Sequence, residues 1–581
     1  MAKEFYIQKQ SGTYAETLEA FGLANLLNEI LARNHRQGYK ITIKDKGQSY
    51  LVETNIDITD NLIQNLSYFQ IIKFIKKEVT TEIPQGINDY FDYPKNKTEQ
   101  DRYKKLYKEI ESDKTKTGDE KKQARKALNE QKLSEFGISI DAEYDVYREI
   151  KLNPYASFTK LFENFHQNQN HFHSLIKAIL DYYSSQQIPN LNFNLIDKKP
   201  TAQQLYNPNQ GKGLNKSKAN NASMGNIDGF WISETMKISG ALSFMVCQYV
   251  KSGSSYDLKI YVPEFNEISI SDCKRLVLEF KKYLKSTSPL KLDILNSINF
   301  TINFIRQTPI YTGKVCKTIK GFHCVYQKDL GQNKAVANIS FISTPDFVSY
   351  TTQLEGQEWI EILESQRNLI YNIKEQGDAI QGLQEYRNFL GSIGASALEY
   401  FIDFSYWYAG YLMQQLTKGN KFVRTFKIDY LTKFYSNMDT KELNLVEIIQ
   451  DDGFQAIAKA IRKSTVTLQY TPKEQRKFEI RYGLAQQLQN KAKSKEDLAT
   501  FIGEFIGTYN AETARNAEKN GGKAFRANVK DEELIKFYSL LDNYSPRLVG
   551  ALLASYGFAL NKKEAKESEE LEDETEQYEN Q

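Results

Sequence analysis

Cysteine is scarce in this chain: Cys247, Cys273, Cys316 and Cys324 are the only four in 581 residues. None forms a C-x-x-C pair, so neither a disulfide framework nor a structural zinc site of the usual kind is expected. Histidine is nearly as rare. The one cluster, His166, His171 and His173, has only Glu163 near it at ligand spacing, which favours structural histidines over a metal site. Long apolar runs are missing too. Gly240 to Val250 and Leu548 to Leu560 are uncharged and apolar-rich, and both are too short to span a bilayer. The opening MAKEFYIQKQ lacks the apolar core of a signal peptide. These absences lead us to expect a soluble, cytoplasmic protein with no membrane contact.

Catalytic signatures are equally thin. Gly213 to Ser217 superficially follows a phosphate loop, but that pattern requires glycines where Gln210 and Asn215 stand. Asp119-Glu120-Lys121 is a nuclease-like fragment inside a charged run, where chance accounts for it. No nucleophile–base pair or two-metal site emerges. The expectation is therefore no enzyme, no metal and no cofactor.

What the chain does have is a large apolar complement and an uneven charge. With 40% hydrophobic and 13% aromatic residues it can bury a sizeable core. The last twenty residues, 562–581, hold nine acidic residues and three lysines, a net of −6. Setting that tail apart from the chain's +3 leaves +9 on the rest. The excess is clustered, and clustered cations are what nucleic acid responds to.

The expected fold class is α+β, a mixed α/β N-terminal body followed by an all-α C-terminal helical bundle. The body covers 1–350. Its segment 18–32 reads as an amphipathic helix, and Ile41, Ile43, Tyr50 and Val52 alternate around Asp45-Lys46-Gly47 as a hairpin. A charged insertion at 95–132, with 13 basic and 8 acidic residues, reads as a solvated helical pair or a mobile insertion, with nucleic-acid contact as the alternative. Strands are expected around 258–262 and 335–341, with a helix starting after Ser271 between them. Beyond about residue 350 only helical periodicity remains. Residues 351–437 form a helical connector, 438–561 a basic helical bundle and 562–581 a disordered acidic tail. In the connector, 398–412 carries seven aromatics, a density that reads as core rather than base stacking. In the bundle, Leu498, Phe501, Ile502, Phe505, Ile506 and Tyr509 form one stripe. Ser494 with Asp497, and Ser545 before Pro546, read as helix caps.

Two features point to nucleic acid. The loop 198–227 has five lysines, six asparagines, three glycines and no acid. Lysines contact phosphates, asparagine amides can hydrogen-bond base edges, and glycines admit close backbone approach. A plain flexible surface loop would have a similar composition. The stretch 455–530 carries 15 basic and 7 acidic residues. Lys473, Lys477 and Arg481 fall at helical spacing as one basic ridge, which Arg462, Lys463, Arg476, Lys491, Lys493, Arg515, Lys519, Lys523 and Arg526 could extend. Such a ridge can track a single-stranded backbone, and a solvated face is the alternative.

The stretch 473–558, through RKFEIRYGLAQQL, FIGEFIGTYNAETAR and LLDNYSPRLVGALLASYGFA, resembles the C-terminal helical domain of the large subunit of type I CRISPR effector complexes (Cascade). AFGLANLLNEI and GNIDGFWISETMKISGAL add to the resemblance, which leans to type I-B or the related I-A group. It implies a non-catalytic subunit of an RNA-guided complex. Its partners would be CRISPR RNA, target double-stranded DNA, the backbone, 5′-handle-capping and small subunits, and a helicase-nuclease. The N-terminal body would recognise the protospacer-adjacent motif, with Lys212, Asn215, Lys216, Lys218, Asn220 and Asn221 as candidate readers. The bundle would hold the displaced non-target strand and stabilise the R-loop. Internal initiation at Met438, giving a separate small subunit of 144 residues, is a further expectation, with a non-Met start as its alternative. Two rivals remain: a metal-dependent nuclease without a recognisable motif, and an interaction scaffold independent of nucleic acid.

Overall fold

The computed structural model describes residues 3–34, 37–135, 141–152, 154–209, 228–252, 255–282, 284, 287–308, 311–331, 334–420, 422–440 and 442–561. The candidate motif readers Lys212, Asn215, Lys216, Lys218, Asn220 and Asn221, and the acidic tail 562–581, lie outside the described residues. The fold is α+β, 58% helix and 14% strand, and from about residue 350 to 557 it is all helical. The chain divides into two compact units. The first is Met1–Pro289 with Asn303–Tyr311 and Val315–Thr344, and the second is Leu290–Ile302 with Thr312–Lys314 and Pro345–Gln581.

In the first unit the helix Ala15–Arg33 is buried continuously from Ala15 to Leu27. Sequence periodicity places it but understates its burial, since Glu16, Glu19 and Asn25 are inside as well. It crosses the helix Trp231–Phe244 backbone to backbone. A Cβ on Gly22 would stand 1.9 Å from the Met236 carbonyl oxygen, and one on Gly240 1.9 Å from that of Leu18. Only glycine permits this approach. Phe21 and Phe244 fill the neighbouring space with ring centroids 4.4 Å apart.

Two antiparallel four-stranded sheets belong to this unit. The first runs in the order Glu4–Gln8, Ser49–Thr54, Ile41–Asp45, Glu267–Ser269. Its hairpin turns at Gly47, at φ +83°, whose N–H donates to the Asp45 carboxylate at 2.7 Å. The second runs Lys334–Ser343, Ile319–Asp329, Ser255–Phe265, Val246–Ser252. The charged insertion is a helical pair, Tyr93–Ser112 and Gly118–Ser134. Thr117 and Glu120 form a capping box at the second helix, and Tyr103 and Leu128 make a small core of the pair's own.

The loop expected at 198–227 is partly a packed segment. Ala202, Leu205, Tyr206 and Asn207 are buried, and Thr201 pairs with Asp228 in an isolated bridge. Asn207 donates to the Glu234 carboxylate at 2.9 Å and accepts from the Lys237 ammonium at 2.9 Å. Polar composition hides this, because the segment's asparagine is spent on a buried ion pair.

In the second unit the aromatic-rich helix Ala395–Thr417 is core: Phe401, Phe404, Tyr406 and Tyr408 are buried. The final helix, Pro546–Gly557, starts on its proline as expected, but the Ser545 side chain makes no capping hydrogen bond. Ser494 does cap Lys495–Lys519, accepting from the Asp497 N–H at 3.1 Å. The stripe on that helix is buried at Leu498, Ile502, Phe505, Ile506 and Tyr509, with Phe501 at its margin. Among the described residues no helix is long and apolar enough to cross a membrane.

Candidate nucleic-acid interface

The basic residues of the C-terminal unit separate into two groups by where their hydrogen bonds go. Arg462 is buried on the helix Asp452–Ser464, and its guanidinium donates to the Tyr556 carbonyl at 2.9 Å, near the end of the last helix. Arg526 is 8% exposed, sandwiched between the rings of Phe478 at 3.8 Å and Tyr509 at 3.7 Å. It donates to Thr513 Oγ1 at 2.8 Å, to the Tyr509 carbonyl at 2.9 Å and to Glu512 at 3.0 Å. Arg481 reaches the same Glu512 at 2.6 Å, so one carboxylate clasps two arginines. Arg476 folds back onto the Thr471 and Gln469 carbonyls at 2.8 and 3.1 Å. These four arginines hold the fold together.

The expected ridge through Lys473, Lys477 and Arg481 is not helical. After a single 3-10 turn at Lys473–Gln475 the chain is irregular as far as Leu484. Pro472 stands immediately before that turn, and Arg476 pins it to the carbonyls upstream. The Arg481 N–H donates to Ser464 O at 2.9 Å, a bond across the bundle rather than one within a helix. Regular spacing in the sequence therefore does not align these three side chains along one helix face.

Most of the other basic positions face solvent. Lys473, Lys493 and Arg515 are exposed with no acidic partner among the described residues, and Lys463 is half-buried. Lys491 makes an exposed ion pair with Asp497 at 3.5 Å, of a kind that contributes little to stability. Lys477 is exposed, and its ammonium lies 5.4 Å from the ring centre of Phe525. Lys523 approaches the same ring at 5.7 Å.

Phe525 is not among the residues that the sequence singles out, yet two of these cations, Lys477 and Lys523, approach its ring. It is 42% exposed. It follows the Gly521-Gly522 turn, where both glycines take positive φ, +67° and +88°, so the chain reverses after the helix Lys495–Lys519. Arg526, next in sequence, is locked into the core, which fixes the backbone that presents Phe525. On the other flank the Asn516 amide donates to the Lys477 carbonyl at 2.8 Å, tying the irregular segment to the long helix beside Arg515. The signal is present as Gly-Gly-Lys-Ala-Phe-Arg, but only the structure separates the outward aromatic from the inward arginine. An exposed ring flanked by ammonium groups can stack a base while the cations meet its phosphates.

Each histidine of the sequence cluster has a protein partner. His166 Nδ1 lies 3.0 Å from the Tyr68 hydroxyl, His171 stacks on Phe193 at 4.5 Å, and His173 Nε2 is 3.3 Å from the Gln64 carbonyl. No family model and no curated protein matches this chain.

Proposed function

We infer that this chain is the non-catalytic large subunit of a type I CRISPR RNA-guided surveillance complex acting in the cytoplasm. The observation that carries this reading is the exposed Phe525 between Lys477 and Lys523, within the 473–558 stretch that bears the family resemblance. In the proposed mechanism the displaced non-target strand lies on that platform, one base stacked on Phe525 and phosphates neutralised by Lys477, Lys523 and neighbouring Arg515. Holding the strand keeps it from re-annealing, which stabilises the R-loop. No covalent step is required of the chain, and cleavage falls to a recruited helicase-nuclease. CRISPR RNA, target double-stranded DNA and the backbone, 5′-handle-capping and small subunits complete the assembly.

The loop carrying Lys212, Asn215, Lys216, Lys218, Asn220 and Asn221 is assigned to the protospacer-adjacent motif on its composition. Replacing Asn220 and Asn221 by Ala should relax discrimination between motifs, and Lys216→Ala should weaken binding uniformly. Unchanged discrimination and affinity would remove the loop from the site. The internal start remains part of this reading. Met438 is the last residue of the helix Ile428–Met438, so a product beginning there lacks Tyr435, whose hydroxyl lies 2.7 Å from Ser555 Oγ in the core. Such a fragment would expose part of its last helix and need a partner to cover it.

The test is binding of the purified chain to a single-stranded oligonucleotide and its duplex across a salt series. The reading predicts sequence-tolerant binding to the single strand, with log affinity falling linearly in log salt. Salt-insensitive association with other proteins would favour the scaffold, and metal-dependent cleavage would favour the nuclease.

A further inference from the structure

The first unit contains a cavity of about 460 Å³ that the nucleic-acid surface does not involve. It lies within the size range of small-molecule sites, roughly 300–1,000 Å³. Three helices, Ala15–Arg33, Trp231–Phe244 and Ile270–Lys282, supply much of its wall. The helix Asp141–Leu152 and the segment around Phe69 close the rest.

Three polar groups with unused hydrogen-bonding capacity line it, two of them buried and one, Lys274, half-buried. Lys281 is 3% exposed, and its ammonium makes one hydrogen bond, to the Ser243 carbonyl at 3.0 Å. An ammonium has three protons to donate. Lys274, seven positions earlier on the same helix, lines the cavity without a hydrogen-bonded or ion-pair partner among the described residues. Burial pushes the pKa of both lysines down, opposed by the charge of Glu143 at Lys281 and of Glu29 at Lys274. The third group is Asn25, 8% exposed. Its amide donates to Ser243 Oγ at 3.0 Å, while its buried Oδ1 has no partner.

Buried polar groups are ordinarily paired, and each one left unpaired is costly. Here a pair of lysines and an orphaned acceptor open onto one space. The remaining cations on the wall, Arg33 and Lys73, are already engaged by Glu29 at 3.7 Å and Asp89 at 3.0 Å. Phe69 and Tyr147 add aromatic surface. The complementary ligand has an anionic group for the lysines, a hydroxyl or amino donor for Asn25 and a flat apolar body.

We propose that this cavity binds a nucleotide-sized phosphate monoester, with its phosphate on Lys274 and Lys281 and a ligand N–H or O–H donating to Asn25 Oδ1. The monoester can be a free nucleotide or the phosphorylated end of a strand. Both present the same chemistry.

Isothermal titration of the full chain with 5′-AMP and adenosine tests the proposal. Saturable one-to-one binding of 5′-AMP is expected, without binding of adenosine. Lys274→Met should weaken 5′-AMP by about tenfold or more, the loss of one charge-assisted contact, and Lys274→Glu should abolish it. Lys274 is half-buried and unpaired, so these variants should fold, which an unchanged melting curve would verify. Asn25→Leu provides a neutral second variant that removes the acceptor. A 5′-phosphorylated oligoribonucleotide competing with 5′-AMP, where its 5′-hydroxyl twin does not, would place a strand end in the cavity. Competition by neither oligoribonucleotide would leave the free nucleotide. Absence of 5′-AMP binding, or binding unaltered in Lys274→Met and Asn25→Leu alike, would overturn the proposal.

Discussion

Lys477 and Phe525, 48 positions apart, meet with the ammonium 5.4 Å from the ring centre, and both are exposed. If the ring stacks a base, Phe525→Ala should weaken single-strand binding by about 1–3 kcal/mol. Lys477→Ala should instead flatten the salt dependence, lowering the slope by about 0.7 for one lost phosphate contact. Fluorescence anisotropy over a salt series separates the two effects. Equal slopes for wild type and Lys477→Ala would take the lysine out of the interface.

The division between structural and surface arginines gives a second expectation. Arg526→Ala removes two ring contacts and three hydrogen bonds from a buried site, and should cost about 2–3 kcal/mol in denaturant unfolding. Arg515→Ala, on an exposed position, should stay within about 0.5 kcal/mol of wild type and lower strand affinity. The opposite pattern would mean that the roles have been exchanged.

The glycine crossing makes a sharper stability prediction. At Gly22 a methyl group would meet backbone rather than a movable side chain, so Gly22→Ala should cost about 3 kcal/mol or prevent folding. Gly507, exposed on the helix Lys495–Lys519, is the control, because a Cβ added there would meet nothing within 4 Å. Gly507→Ala should stabilise by up to about 1 kcal/mol. Thermal melts of the two variants should move in opposite directions.

Acid sensitivity should centre on Glu264. Burial works against its ionisation, but the His323 ring at 2.7 Å, Lys9 at 3.3 Å and the Tyr50 hydroxyl at 2.9 Å prevail and hold the carboxyl well below its usual range. A depressed carboxylate stabilises the fold above its unfolded pKa, about 4.3, and that contribution is lost as pH falls toward the folded value. Glu264→Gln should therefore cost about 2 kcal/mol at pH 7, where the His323 ring loses its carboxylate partner and Lys9 and Lys320 keep only Asp45. The gap to wild type should narrow below about pH 4. Denaturant titrations at pH 7, 5 and 3.5 read this directly, and a constant gap would contradict it.

Periodic features are legible in the sequence. The buried helix Ala15–Arg33, the hairpin at Gly47 and the stripe from Leu498 to Tyr509 all follow from apolar spacing. Other features depend on which side chain answers which backbone group. Spacing puts Lys473, Lys477 and Arg481 on one helix, but Pro472 and the Arg476 hydrogen bonds make that segment irregular. Charge counting treats Arg462 and Arg526 as surface, because composition does not reveal that their donors go to carbonyls and Glu512. Phe525 is a single aromatic in a turn and leaves no periodic trace. The cavity's Asn25 and Lys281 are 256 positions apart, and only the glycine-mediated helix crossing and its neighbours bring their elements together.

The central claim is that this chain works within a guide-RNA complex, and recovery of RNA tests it most directly. The tagged chain would be purified from its native host, with the bound RNA sequenced and the protein species weighed. The account predicts CRISPR-repeat-derived guide RNA together with further subunits, and a short C-terminal species if internal initiation occurs. A lone chain carrying no RNA would contradict it.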